Sequence, residues 1–159
     1  MKKTMMIALV AALGLTLAAA PAAVAKKKKQ PFAGAFNGKT TAGTDIKLNV
    51  TKGGLVKNMT GSVFVYCMSL NTTQTKGGVE LFQPPAGPKL GQQVQNSALQ
   101  PSFVANRDVT KTYTITVRRA GKRTVSGDLR LSFSYFVPDL YNPKTFFCSG
   151  TTQFTASRG

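Results

Sequence analysis

The side chains able to move protons or hold a metal are few in this chain, and they are scattered. Five carboxylates, Asp45, Glu80, Asp108, Asp128 and Asp139, are the whole acidic complement, and there is no histidine. Ser-His-Asp and Cys-His catalysis both use an imidazole to shuttle protons near neutrality, so neither operates here. Glycoside hydrolysis needs only two carboxyl groups about 5–9.5 Å apart across a cleft, and the composition permits it. No acid is flanked by aromatic residues that would form a sugar platform, however, and tryptophan is absent. A Ser-Lys pair is likewise permitted by composition, with no motif to carry it. Zinc held without histidine requires cysteines or several carboxylates. The only cysteines, Cys67 and Cys148, pair most simply as one disulfide in an exported chain. No catalytic residue, no metal site and no cofactor is therefore assigned.

Positive charge is the more abundant chemistry. Lys26, Lys27, Lys28 and Lys29 form one run, and Arg118, Arg119, Lys122 and Arg123 crowd into six positions, with Lys111 and Arg130 further along the same two segments. Such clusters attract polyanions by releasing counterions. A charged strand edge also keeps sheets from pairing with one another, which is the plainer reading of the second cluster. Nucleic acid suits it less well than envelope polymers or lipid headgroups, because no aromatic residues are interleaved on which bases could stack. Asn49, Asn58 and Asn71 each precede a residue and then Thr, and here they read as ordinary Asn and Thr content of a β-protein.

Residues 1–25 set the compartment. Met1-Lys2-Lys3 is a cationic start, Met5–Leu17 is apolar, and Ala23-Val24-Ala25 offers small residues where a signal peptidase cuts. The alternative is an uncleaved anchor, since Met5 to Ala25 spans 21 residues and about 20 cross a bilayer. Lys26 to Lys29 directly after the cut oppose translocation and favour that alternative. The Ala-rich composition and the A-x-A ending favour cleavage. Removing residues 1–25 takes two of the 21 Lys and Arg, so 19 cations stand against five acids and the mature net charge is +14. Residues 26–31 read as a disordered cationic tail, and residues 32–159 as one domain large enough for a true core.

That domain has β grammar throughout. Asp45 to Thr51 alternates, with Ile46, Leu48 and Val50 on one face, and Gly53-Gly54 then turns the chain. Val63 to Leu70 is apolar on both faces, which suits a central or covered strand. Val79 to Gln83 is a short strand that ends at Pro84-Pro85-Ala86-Gly87-Pro88, a loop because proline cannot donate to a ladder. Gln92 to Asp108 yields only a short apolar segment around Phe103-Val104. Tyr113, Ile115 and Val117, and then Val125, Leu129, Leu131, Phe133, Tyr135 and Val137, are all odd-numbered. A three-residue loop keeps both sets on one face, predicting Val117 opposite Val125 and Tyr113 opposite Leu129, with a positive φ at Gly121. Phe146 to Ala156 is the last strand, with Phe146, Cys148, Phe154 and Ala156 on one face.

Gly43-Thr44-Asp45-Ile46-Lys47-Leu48, Cys67 closing a strand, Val125-Ser126-Gly127-Asp128-Leu129-Arg130, and Cys148-Ser149-Gly150-Thr151 with Phe154-Thr155-Ala156 resemble landmarks of small secreted actinobacterial β-domains. The resemblance implies a β-sandwich with an extracytoplasmic role and supplies no catalytic residues. The expected fold is a single antiparallel β-sandwich, immunoglobulin-like or jelly-roll-like, of about seven to nine strands. The expected function is a secreted, non-enzymatic envelope or extracellular binding module held to anionic wall polymers or the membrane surface by charge. A two-carboxylate glycan hydrolase and a structural or host-interaction protein are the alternatives.

Overall fold

The computed structural model describes residues 32–69 and 75–159. The expected signal segment, the Lys26 to Lys29 run and Asn71 lie outside the described residues. Within them the regular structure is all β: β1 (Gly34–Thr40), β2 (Asp45–Val50), β3 (Val56–Ser69), β4 (Thr75–Phe82), β5 (Gln93–Ser102), β6 (Arg107–Arg119), β7 (Thr124–Val137) and β8 (Lys144–Arg158). They form one antiparallel sheet in the order β4-β3-β2-β1-β8-β7-β6-β5. Every strand except β4 lies beside its successor in sequence, so the topology is an up-and-down meander in two halves, β1–β4 and β5–β8, joined where β1 meets β8.

The sheet folds over because β3 changes partners. Its first half pairs with β2, and its end, Tyr66 to Ser69, pairs with Ser149 to Phe146 of β8. The change follows a bulge, where Lys47 faces Thr60 but Asn49 faces Lys57. Asn58 sits in that bulge at φ 50°, a left-handed conformation that asparagine tolerates better than most residues. The extra residue bends β3 past the short β1–β2 hairpin and onto β8. Cys67 and Cys148 are direct partners on this seam, both buried, and they form the disulfide.

The inward residues of the two halves make one core, including Phe36, Ile46, Leu48, Val65, Tyr113, Ile115, Leu129, Leu131 and Phe146. Alternation in β2, β6, β7 and β8 is as the sequence implies. Four expectations need correction. The β6–β7 register is displaced by two residues of β7: Val117 faces Gly127, Ile115 faces Leu129 and Tyr113 faces Leu131. Size matching across three strands accounts for this. Gly127 also faces Phe154 of β8, and a Cβ there would lie 2.5 Å from that ring. Gly121 does occupy the connecting loop, but among the described glycines positive φ belongs instead to Gly34, Gly43, Gly54 and Gly91. The segment 93–102, with no strand expected, is the ten-residue edge strand β5. Phe103-Val104 is the turn that follows β5. Finally, the outward face of β3 is uncovered, with Phe64, Tyr66 and Met68 all exposed.

Candidate functional site

The hairpin tip between β6 and β7 carries Arg118, Arg119, Lys122 and Arg123, and the fold adds to it. The β2–β3 loop and the β4–β5 loop reach the same end, tied by Leu90 N–H donating to Gly54 O at 2.8 Å and Gly91 N–H donating to Val117 O at 2.8 Å. These loops bring Lys52 and Lys89, and none of the three loops contains an acid. The end of β8 arrives there too: Arg158 N–H donates to Arg123 O at 2.8 Å, and Arg123 Nη2 donates to Gly159 O at 2.8 Å. Arg119 lies over the Phe32 ring at 4.4 Å, and Arg158 Nη1 donates to Ala33 O at 2.9 Å. The start of the described chain is thus held against the tip. Lys29 precedes Phe32 by three residues, which span at most about 11 Å.

One cation of the tip is neutralised locally. Arg118 pairs with Asp128 at 2.9 Å, and Gln153 Nε2 also donates to that carboxylate at 3.2 Å. Lys111, placed with the cations in the sequence reading, is not one of them. Its parity is that of Tyr113 and Ile115, and it points inward. Its Nζ donates to Glu80 Oε2 at 2.8 Å and to Leu81 O at 3.0 Å, with Lys111 1 % and Glu80 0 % exposed. Glu80 Oε1 accepts from Ser102 Oγ at 2.6 Å and from Val104 N–H at 2.8 Å. The network spans the gap between edge strand β4 and the β5–β6 hairpin, where no ladder exists. Gln100 Nε2 donating to Gln83 O and Asn96 Nδ2 donating to Ala86 O, each at 2.6 Å, continue the stitching.

Tyr113 hydrogen-bonds to Gln100 Oε1 at this seam. Burial pushes its phenol up to about 12, opposed by a hydrogen bond to the Gln83 backbone and reinforced by the Glu80 charge. A raised pKa stabilises the fold fully below the unfolded value near 10, and that contribution is lost as pH rises through about 12. Alkaline difference spectra should show a tyrosinate step near pH 12 that Tyr113→Phe removes. A step at pH 10 with the usual amplitude for every tyrosine would contradict the burial.

The carboxylates do not converge. Asp45 is exposed and paired with Lys39 at 2.6 Å, whose hydrogen bond and charge hold it below the usual carboxylate range. Glu80 is buried in the seam network, and Asp139 accepts from Tyr141 N–H at 3.0 Å. None of the five principal clefts is lined by two acids; Asp45 lines the largest and Asp128 lines two others. Ser102 and Lys111 bond opposite oxygens of one buried carboxylate and face no cleft, so they do not form a Ser-Lys pair open to substrate.

The feature that sequence reasoning missed lies on the outer face of β3, β8, β7 and β6. Phe64, Tyr66 and Met68 stand along β3 as a wall, and beyond them β8 and β7 present small hydroxylated residues. Phe64 and Tyr66 meet edge to face with centroids 4.9 Å apart, and the Phe64 ring lies over Gly77, where a Cβ would be 3.0 Å away. The signal was the odd/even pattern of Val63 to Ser69, apolar on both faces. No protein family, curated protein or solved structure matches the chain.

Proposed function

We propose that this protein is a secreted, non-enzymatic binding module retained at anionic envelope polymers or lipid headgroups by its cationic end. One observation carries the reading. Charged strand edges guard against sheet pairing, but the edges here are β4 and β5, whereas the cations sit between β6 and β7, two interior strands. Protection of an edge does not account for them. Three acid-free loops, the end of β8 and Phe32, where the described residues begin, all meet there instead. Lysines in such a set make point contacts that need little shape in the ligand.

The hydrolase alternative draws no support from the acids, no two of which line the same one of the five principal clefts. The test is binding of the exported chain to immobilised polyphosphate and to phosphatidylglycerol vesicles across a salt series. Affinity should fall by orders of magnitude between about 50 and 200 mM salt if six or more phosphates are engaged. Deleting Lys26 to Lys29, or changing Arg118, Arg119, Lys122 and Arg123 to Ser, should weaken binding and flatten the salt slope. Serine at Lys39, Lys47, Lys76 and Lys144 should do much less. Binding unchanged at high salt, or equal losses for both sets of four, would overturn the assignment.

A further inference from the structure

We infer that the outer face of β3, β8, β7 and β6 is a second binding site, for an extended neutral glycan, separate from the cationic end. Two adjoining clefts of about 450 and 420 Å³ share Tyr66 and Ser149 and together form one groove along the sheet. Its wall is Phe64, Tyr66 and Met68 on β3, the last two 68 % and 65 % exposed, with Phe147 of β8 beside Met68. Phe64 to Met68 is about 14 Å of strand, and the four strands across make a similar width. Three large apolar side chains in succession on the solvent face of an interior strand are costly to solubility, and such patches mark contact surfaces.

The floor says which contact. Ser149 and Thr151 of β8 and Ser132 and Ser134 of β7 form a lattice of hydroxyls beside the rings, and none of these four hydroxyls has a hydrogen-bond partner among the described residues. Arg130 is the only charged residue lining the two clefts, and it makes no ion pair among the described residues. Sugar rings present flat C–H faces and a rim of hydroxyls, which match aromatic faces and a hydroxylated floor respectively. A phosphodiester polymer fits poorly, because binding by counterion release needs several cations and this groove has one. The near-neutrality of the face, in a chain of mature charge +14, is what separates the two sites.

Calorimetry of the exported chain with chitohexaose and cellohexaose tests this. At least one hexasaccharide should bind, and its affinity should change less than about twofold between 50 and 500 mM salt, unlike polyphosphate binding. Tyr66→Ala should weaken it about tenfold or more by removing the exposed ring. Ser149→Phe should do the same by filling the floor while every ring stays in place. Both sites are on the surface, so the two variants should melt within a few degrees of the parent. Serine at Arg118, Arg119, Lys122 and Arg123 should leave glycan binding intact and weaken only polyphosphate binding. No binding of either sugar at millimolar concentration, or equal affinity for Tyr66→Ala, would overturn the inference. So would a dimer in sedimentation that Tyr66→Ala dissolves without any sugar binding, which would assign the face to a second copy of the chain.

Discussion

Replacing Cys67 and Cys148 should lower stability by about 4.5 kcal/mol, the entropy of freeing a loop that now closes over 81 positions. For a domain of this size that is a fall in melting temperature of about 15 °C. The bond also holds the short β3–β8 ladder, Tyr66 to Ser69 against Ser149 to Phe146, which has no other covalent support. Two variants separate these contributions. The alanine pair C67A/C148A loses both the cross-link and the buried sulfur volume, whereas C67V/C148V restores volume and loses only the cross-link. Thermal melting should rank the parent first, the valine pair second and the alanine pair last. A valine pair that melts within a few degrees of the parent would show that the cross-link adds little. Alkylation of the denatured, unreduced protein should add no mass, since neither thiol is free.

Glu80→Ala should cost about 3–5 kcal/mol, because it leaves the Lys111 amine buried without its counter-charge. The loss is compounded at Ser102 and Val104, whose O–H and N–H lose their acceptor together. Removing both members is expected to be milder. Glu80→Leu with Lys111→Met replaces the pair by apolar groups of similar bulk, and urea titration should place it well above either single variant. The ordering distinguishes a buried pair from a solvated one. A loss under about 1 kcal/mol for Glu80→Ala would mean that water reaches the seam. The damage should also be local, with faster amide exchange from Ser102 to Ala105, because Ser102 Oγ in turn accepts from Ala105 N–H at 3.0 Å.

Where the fold was legible, it was legible through period two. Ile46, Leu48 and Val50, and the odd-numbered set from Tyr113 to Tyr135, are buried as their alternation implies, and the two cysteines lie on apolar faces. The β5 strand was hidden because alternation of polarity is absent from it. Its inward side carries Asn96, Gln100 and Ser102, whose hydrogen bonds at the seam depend on β4 and the proline loop and are invisible locally. Lys111 was legible in principle, since its parity is inward, but its charge pulled it toward the surface cluster. On β4 the pattern misled in the opposite sense: Val79 and Leu81 face out and Glu80 faces in. The register between β6 and β7 depends on Phe154 over Gly127, a third-strand contact that hairpin parity does not contain. The cationic residues themselves were plain in the sequence. The convergence of the tip cations with Phe32 and two other loops was not, because it follows from β1 lying beside β8.

That adjacency of first and last strands has a kinetic side. The pairs that join them, Thr40 with Phe154 and Phe36 with Arg158, are 114 and 122 positions apart, whereas every other strand pairing except β3–β8 is a local hairpin. Loop closure over such distances is slow relative to hairpin zipping, so contact order places the two meanders ahead of their union. Cys67 belongs to the first meander and Cys148 to the second. Oxidation therefore follows docking of the halves, and the thiols remain open to trapping reagents for as long as the halves are apart. A ribosome-bound chain has its second meander still to emerge when the first is complete, with Tyr66, Cys67, Met68 and Ser69 of β3 waiting for β8 along an unpaired edge. This is the interval in which a chaperone would have most to protect.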